Sequence, residues 1–200
     1  MRFLPCADSG LLVELDDLAA VQALHAALSA APPEGVVDLV PAARTLLLQL
    51  GPRADPRAVE DAVRRTRPNS EVRTAGEQLR VPVVYDGADL AEVARLLGRT
   101  EREVIEWHTG VVWTVAFGGF APGFGYLTGG GLQVPRRAES RTKVPAGSVG
   151  LAGEFSGIYP RESPGGWQLV GRTDLEIWRV DRDPPALLRP GVQVRFEEVA

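Results

Sequence analysis

The stretch from Gly118 to Thr173 constrains the fold of this chain more than any other. It holds fourteen of the protein's 22 glycines and five of its prolines in 56 residues. So dense a mixture excludes long helices, because glycine carries a high entropic cost in a helix and proline removes a donor; strands interrupted by turns are what remains. Glycine reaches positive φ and admits a close neighbour, while proline fixes φ, so together they specify loops of definite shape. Such loops commonly carry function.

Around this segment the pattern is more regular. Phe3 to Leu15 reads as a hairpin-like pair about Asp8-Ser9-Gly10, with Pro5 marking an edge strand. Leu18, Val21, Leu24 and Leu28 recur at helical spacing and predict a helix over about Asp17 to Ala30, ended at Pro32-Pro33. Val36 to Val40 and Thr45 to Leu50 are strand candidates, Pro56 opens a second helix to about Arg67, and Gln78 to Tyr85 is expected to close the series as a strand. The order ββαββαβ implies an α+β sandwich over residues 1–84, with helices on one face of an antiparallel sheet.

Residues 85–200 form the second expected domain. Two short helices lead it, the second opened by Thr100-Glu101-Arg102-Glu103 with the spacing of a capping box. Strand candidates then follow at Val111 to Phe117, Gln168 to Val170, Glu176 to Val180 and Val192 to Val199. Short strands separated by turn signals imply a closed or nearly closed, mainly antiparallel β-barrel.

Charge and cysteine content narrow the function classes. A net charge of -4 argues against an electrostatically driven nucleic-acid binder. The single cysteine, Cys6, excludes an internal disulfide, and two histidines without partners at zinc spacing give no metal site. With no run of about 18 apolar residues and no apolar core near the N-terminus, neither a membrane span nor an export signal is expected, and a cytoplasmic setting fits best.

The candidate chemistry lies in or beside the Gly/Pro segment. Gly118 to Leu127 does not have the spacing of a phosphate-binding loop; it is either two packed turns or a rigid wall of a pocket, with Tyr126 as its polar tip. Arg136, Arg137, Arg141 and Lys143 put four cations near one acid, Glu139. Arginine's planar fork suits a carboxylate or phosphate, although a solvated face is the other reading. Ser148 and Ser156 offer hydrogen bonds rather than a nucleophile. His108 falls at a helix C-terminus, where the dipole favours its charged form; general acid/base work and a structural cap both fit. Trp167 reads as core more readily than as a partner contact.

Taken in order, GGFAPGFGYL, VPRRAESRTKVPAGSVGLAG, SGIYPRESPGGWQLVGRT and DPPALLRPGVQVRF resemble the family of the B-type subunit of bacterial 5-oxoprolinase, also described as allophanate hydrolase subunit 1 and as a kinase-inhibitor protein of sporulating bacteria. The resemblance implies a small α+β domain followed by a cyclophilin-like barrel. It also implies a larger subunit with a related barrel and a third, lactam-hydrolysing protein, which together open 5-oxoproline to glutamate with ATP and its magnesium counter-ion through a phosphorylated lactam. The alternatives it carries are an inhibitor of a sensor histidine kinase and a carboxyltransferase or allophanate-type subunit. His108, Gly123, Tyr126, Arg136, Arg141, Ser148 and Tyr159 match family positions. By their chemistry His108, Arg136 and Arg141 are the catalytic candidates, and Gly123, Tyr126, Ser148, Ser156 and Tyr159 the substrate-binding ones. The chain departs from the usual family pattern at Ala121, Gly125, Phe155 and Ser156, and Phe155 replaces a glutamine amide with an apolar ring.

Overall fold

The computed structural model describes residues 1–67 and 78–200. The chain divides into two compact units, Met1–Arg73 and Thr74–Ala200. In the first, β1 (Arg2–Cys6) and β2 (Gly10–Glu14) form an antiparallel hairpin, and β3 (Val36–Pro41) and β4 (Thr45–Leu50) add to it in the order β1-β2-β4-β3. Pro5 therefore does lie on an edge strand, the position in a sheet where proline is tolerated. Helix α1 (Leu18–Ala30) starts at Asp17, whose carboxylate accepts the Ala20 N–H at 2.8 Å, and α2 (Pro56–Arg65) starts with proline in its first turn.

Period decides what this unit buries. Leu11 and Val13 of β2 and Leu46, Leu48 and Leu50 of β4 alternate onto one face. Val21, Leu24 and Leu28 of α1 and Val59 and Val63 of α2 meet them there, so both helices cover the same side of the sheet. Leu24 and Leu28 are fully buried, and each such side chain stabilises the fold by about 1.5–3 kcal/mol relative to exposure.

The second unit is a seven-stranded, mostly antiparallel sheet. It contains β5 (Gln78–Val83), β6 (Trp113–Gly118), β7 (Gly125–Thr128), β9 (Ser148–Ala152), β10 (Phe155–Ile158), β12 (Gln168–Arg172) and β13 (Gln193–Glu198) in the order β12-β9-β10-β7-β6-β13-β5. A separate pair, β8 (Arg141–Val144) and β11 (Ser163–Gly165), flanks it. Beyond the end of β5, Val84 and Arg172 exchange both backbone hydrogen bonds at 2.9 Å, which joins the first strand of the row to the last and nearly closes a barrel. Helices α3 (Leu90–Leu97) and α4 (Glu101–Gly110) pack into the same apolar core as Trp113, Val115, Leu127, Leu151, Ile158 and Phe196.

Two expectations are corrected. The strand at Gln78 does not close the N-terminal series: β5 pairs in parallel with β13, Val81 opposite Phe196, and its Val81 and Val83 point into the barrel core. The segment Glu176 to Val180 is not a strand, making only an isolated bridge from Trp178 to Ala186. There the Arg182 guanidinium donates to the carbonyls of Glu176, Ile177 and Pro185, so a side chain supplies bonds that a ladder would have made.

Candidate functional site

Strand alternation sorts the candidate residues between the two faces of the barrel wall. In β7, Leu127 joins the interior core, so Tyr126 points outward. In β10, Ser156 and Ile158 point inward and Phe155 outward. The outward aromatics gather into one cluster. Tyr126 stacks on Phe117 with centroids 4.4 Å apart, and Phe124 meets Tyr126, Tyr159 and Trp167 edge-on. Gly157 makes room for it: a Cβ there would lie 2.9 Å from Phe124 and 3.0 Å from Trp167.

Beside the cluster opens a cleft of about 480 Å³, walled by Tyr126, Phe155, Trp167, Val134 and Gly153, with Arg136 lining it as well. Burial raises the Tyr126 hydroxyl above its ordinary pKa, opposed by the nearby Arg136 charge, so the hydroxyl stays protonated and able to donate. A larger concavity of about 710 Å³ in the N-terminal unit is lined by Glu34, Arg53 and Asp55 but has no aromatic wall. An apolar cleft with a few convergent polar groups is the better form for a small ligand.

The basic run offers fewer free charges than its composition implies. Arg137 Nη1 and Arg141 Nη2 both donate to Asp89 Oδ1 at 2.7 Å, and Lys143 pairs with Glu162 at 3.1 Å. Among the described residues, Arg136 alone of the four makes no ion pair. Burial would raise the Asp89 carboxyl, but hydrogen bonds from Arg141 and the Leu169 N–H, with both guanidinium charges, hold it below the usual carboxylate range. A nucleoside triphosphate needs several cations or an amide-rich loop, and one unpaired arginine does not fit that requirement.

His108 lies on the other side of the wall. It is fully buried, with Nδ1 2.7 Å from the Tyr85 hydroxyl, Nε2 2.9 Å from Ser156 Oγ, and its ring stacked on Phe196 at 4.2 Å. Desolvation lowers its pKa to about 3, so burial overrides the helix dipole that favoured the charged form. A proton shuttle at this position has no charged form near neutral pH and no exposed atom to transfer from. Ser156 is equally enclosed, bonded to His108 instead of facing a ligand.

The remaining candidates separate. Tyr126 and Arg136 share the cleft; Tyr159 sits in the aromatic cluster and its hydroxyl accepts the Trp167 backbone N–H, while Arg141 is engaged by Asp89. Gly123, at φ 83°, is covered by the Trp178 side chain, and Ser148 is buried with its carbonyl accepting the Tyr159 N–H at 2.9 Å. Trp167 is both core and cleft wall. Nothing in the sequence marks Asp89 as a site residue: it precedes α3 like a helix cap, yet its side chain makes no cap bond. The two surplus arginines were the available signal, though nothing in their spacing points to position 89.

Comparison with known proteins places this architecture among relatives. The model of a family described as carboxyltransferase domain, subdomain C and D, matches residues 1–188. The chain is 52% identical over 123 residues to the B-type 5-oxoprolinase subunit of Escherichia coli O157:H7, covering 59% of this chain and 56% of that protein. It is 44% identical over 125 residues to the B-type 5-oxoprolinase subunit of Bacillus subtilis (strain 168), covering 60% and 52% respectively. The crystal structure of TTHA0988 superposes with a TM-score of 0.77 at 36% identity, over 96% of this chain and 40% of the other. The match thus spans little more than half the length of these curated relatives.

Proposed function

The chain belongs to the carboxyltransferase domain family, subdomain C and D, and from that premise we propose that it works as the B-type subunit of an ATP-dependent 5-oxoprolinase. The observation that carries this reading at the level of chemistry is Arg136, a cation without an ion-pair partner among the described residues, in a cleft walled by Tyr126, Phe155 and Trp167. A five-membered lactam bearing one carboxylate matches such a cleft. Its ring lies against the aromatic wall, its carboxylate takes the guanidinium fork, and the Tyr126 hydroxyl donates to an oxygen.

In the assembled complex ATP would be a co-substrate that transfers its terminal phosphoryl group to the lactam oxygen with release of ADP; water would then add at the activated carbon, and the ring C–N bond would break with loss of phosphate to give glutamate. One arginine does not suffice for a triphosphate, so the phosphates and their magnesium ion are held chiefly by the larger barrel subunit. A third, lactam-hydrolysing protein completes the ring opening. This chain binds and orients the lactam and keeps water from one face of it. A carboxyltransferase-type reaction is the second reading, favoured by the family's own description.

The test is the complex reconstituted with the larger subunit and assayed with 5-oxoproline. A charge-assisted hydrogen bond contributes about 1.5–3 kcal/mol, so Arg136→Ala should raise KM for 5-oxoproline roughly 10- to 100-fold with a smaller effect on kcat. An unchanged KM removes Arg136 from the substrate site.

A further inference from the structure

Arg136 belongs to a stretch, residues 129–140, that contributes no strand to the sheet and touches it through an isolated bridge from Val134 to Gly153. Its position is therefore set by a few single bonds, backbone and side-chain, rather than by a ladder. Gln168 Nε2 donates to the Pro135 carbonyl at 3.1 Å, and the Arg137 N–H donates to the Gly166 carbonyl at 2.9 Å, so both neighbours of Arg136 are pinned to the segment that leads into β12.

Asp89 ties this arrangement to the barrel. It is 3% exposed and lies outside the loop, just before α3. One carboxylate oxygen accepts Arg137 Nη1 and Arg141 Nη2, each at 2.7 Å, and the other accepts the Leu169 N–H of β12 at 2.7 Å. The start of β8, the residue after Arg136 and the middle of the cleft's aromatic segment thus converge on one buried carboxylate. Two guanidinium groups against one acid also leave a net positive charge behind the cleft. Among the described residues, Arg137 Nε and Arg141 Nη1 are buried without a hydrogen-bond partner, and the bonds to Asp89 are the ones that orient both groups.

We propose that Asp89 is a positioning residue: by holding Arg137 and Arg141 against Leu169, it fixes where Arg136 presents its guanidinium in the cleft and so sets affinity for the anionic substrate. The inference rests on Arg136 as the carboxylate anchor, and the experiment separates the two claims. Asp89→Asn, Arg136→Ala and the double variant are each reconstituted with the larger subunit and assayed for KM and kcat with 5-oxoproline. Asp89→Asn should raise KM at least fivefold with kcat within about twofold, and the double variant should be no worse than Arg136→Ala, because Asp89 acts only through Arg136.

Multiplying effects in the double variant, or a folded Asp89→Asn protein with unchanged KM, overturn the positioning role while leaving the cleft reading intact. An Arg136→Ala variant with unchanged KM overturns both. Should Asp89→Asn not fold, Arg141→Lys retains the charge but loses the fork. It should then raise KM by a smaller factor that vanishes in the Arg136→Ala background, and persistence of that factor there overturns the proposal.

Discussion

Replacing His108 by glutamine should change how stability depends on pH. The folded protein holds His108 neutral, with a pKa lowered to about 3 by burial, whereas the unfolded chain exposes an imidazole of pKa near 6.5. Between these values the unfolded state takes up a proton that the native state refuses. The contribution is therefore complete above pH 6.5 and is lost as pH falls towards 3, at about 1.4 kcal/mol per pH unit. At pH 5 the loss amounts to about 2 kcal/mol, which at a typical urea slope moves the unfolding midpoint on the order of 1 M. Glutamine keeps a polar contact in the core but cannot titrate, so His108→Gln lowers stability at every pH while removing this part of the slope. Every other side chain is common to both proteins and cancels in the comparison.

The readout for that experiment is built in. All four tryptophans, Trp107, Trp113, Trp167 and Trp178, lie in the second unit, so their fluorescence follows the unit that contains His108. Urea midpoints of both proteins at pH 7, 6 and 5 should diverge in slope, with the native protein losing about 2 kcal/mol more than the variant between pH 7 and pH 5. Equal slopes would refute the neutral, fully buried histidine.

Three further substitutions test the fold. Thr100→Ala breaks the capping box, in which the Thr100 N–H reaches Glu103 Oε2 at 2.7 Å and the Glu103 N–H reaches Thr100 Oγ at 3.2 Å; it should cost about 1 kcal/mol in urea unfolding. Gly147→Ala combines φ 78° with a Cβ driven against the Thr173 carbonyl, and should cost at least about 2 kcal/mol, seen as a lower melting temperature. Trp167→Ala empties the centre of the aromatic cluster, where the ring meets Phe124 edge-on at 5.3 Å, and a loss of about 3–5 kcal/mol is expected from chemical denaturation.

Local signals were legible in the sequence and long-range pairings were not. The capping box at Thr100 and the start of α1 at Asp17 lie within one turn of the residues they bond, so their spacing alone predicts them. The alternation of β5 identified a strand but not its partner, because a parallel neighbour in β13 is reached only after the intervening chain has folded. The basic run showed its charges, yet the acid that pairs with two of them sits before α3, in a different element. His108 was located correctly near a helix end, but the aromatic ring packed on it comes from β13, and burial rather than the dipole sets its charge.

The most direct test of the central claim is 5-oxoproline-dependent ATP hydrolysis by this chain co-purified with the larger barrel subunit, with the third protein present and absent. Turnover should require both barrel subunits, and the KM for 5-oxoproline should rise in Arg136→Ala complexes that still assemble. A stable complex that hydrolyses no ATP in response to 5-oxoproline would contradict it.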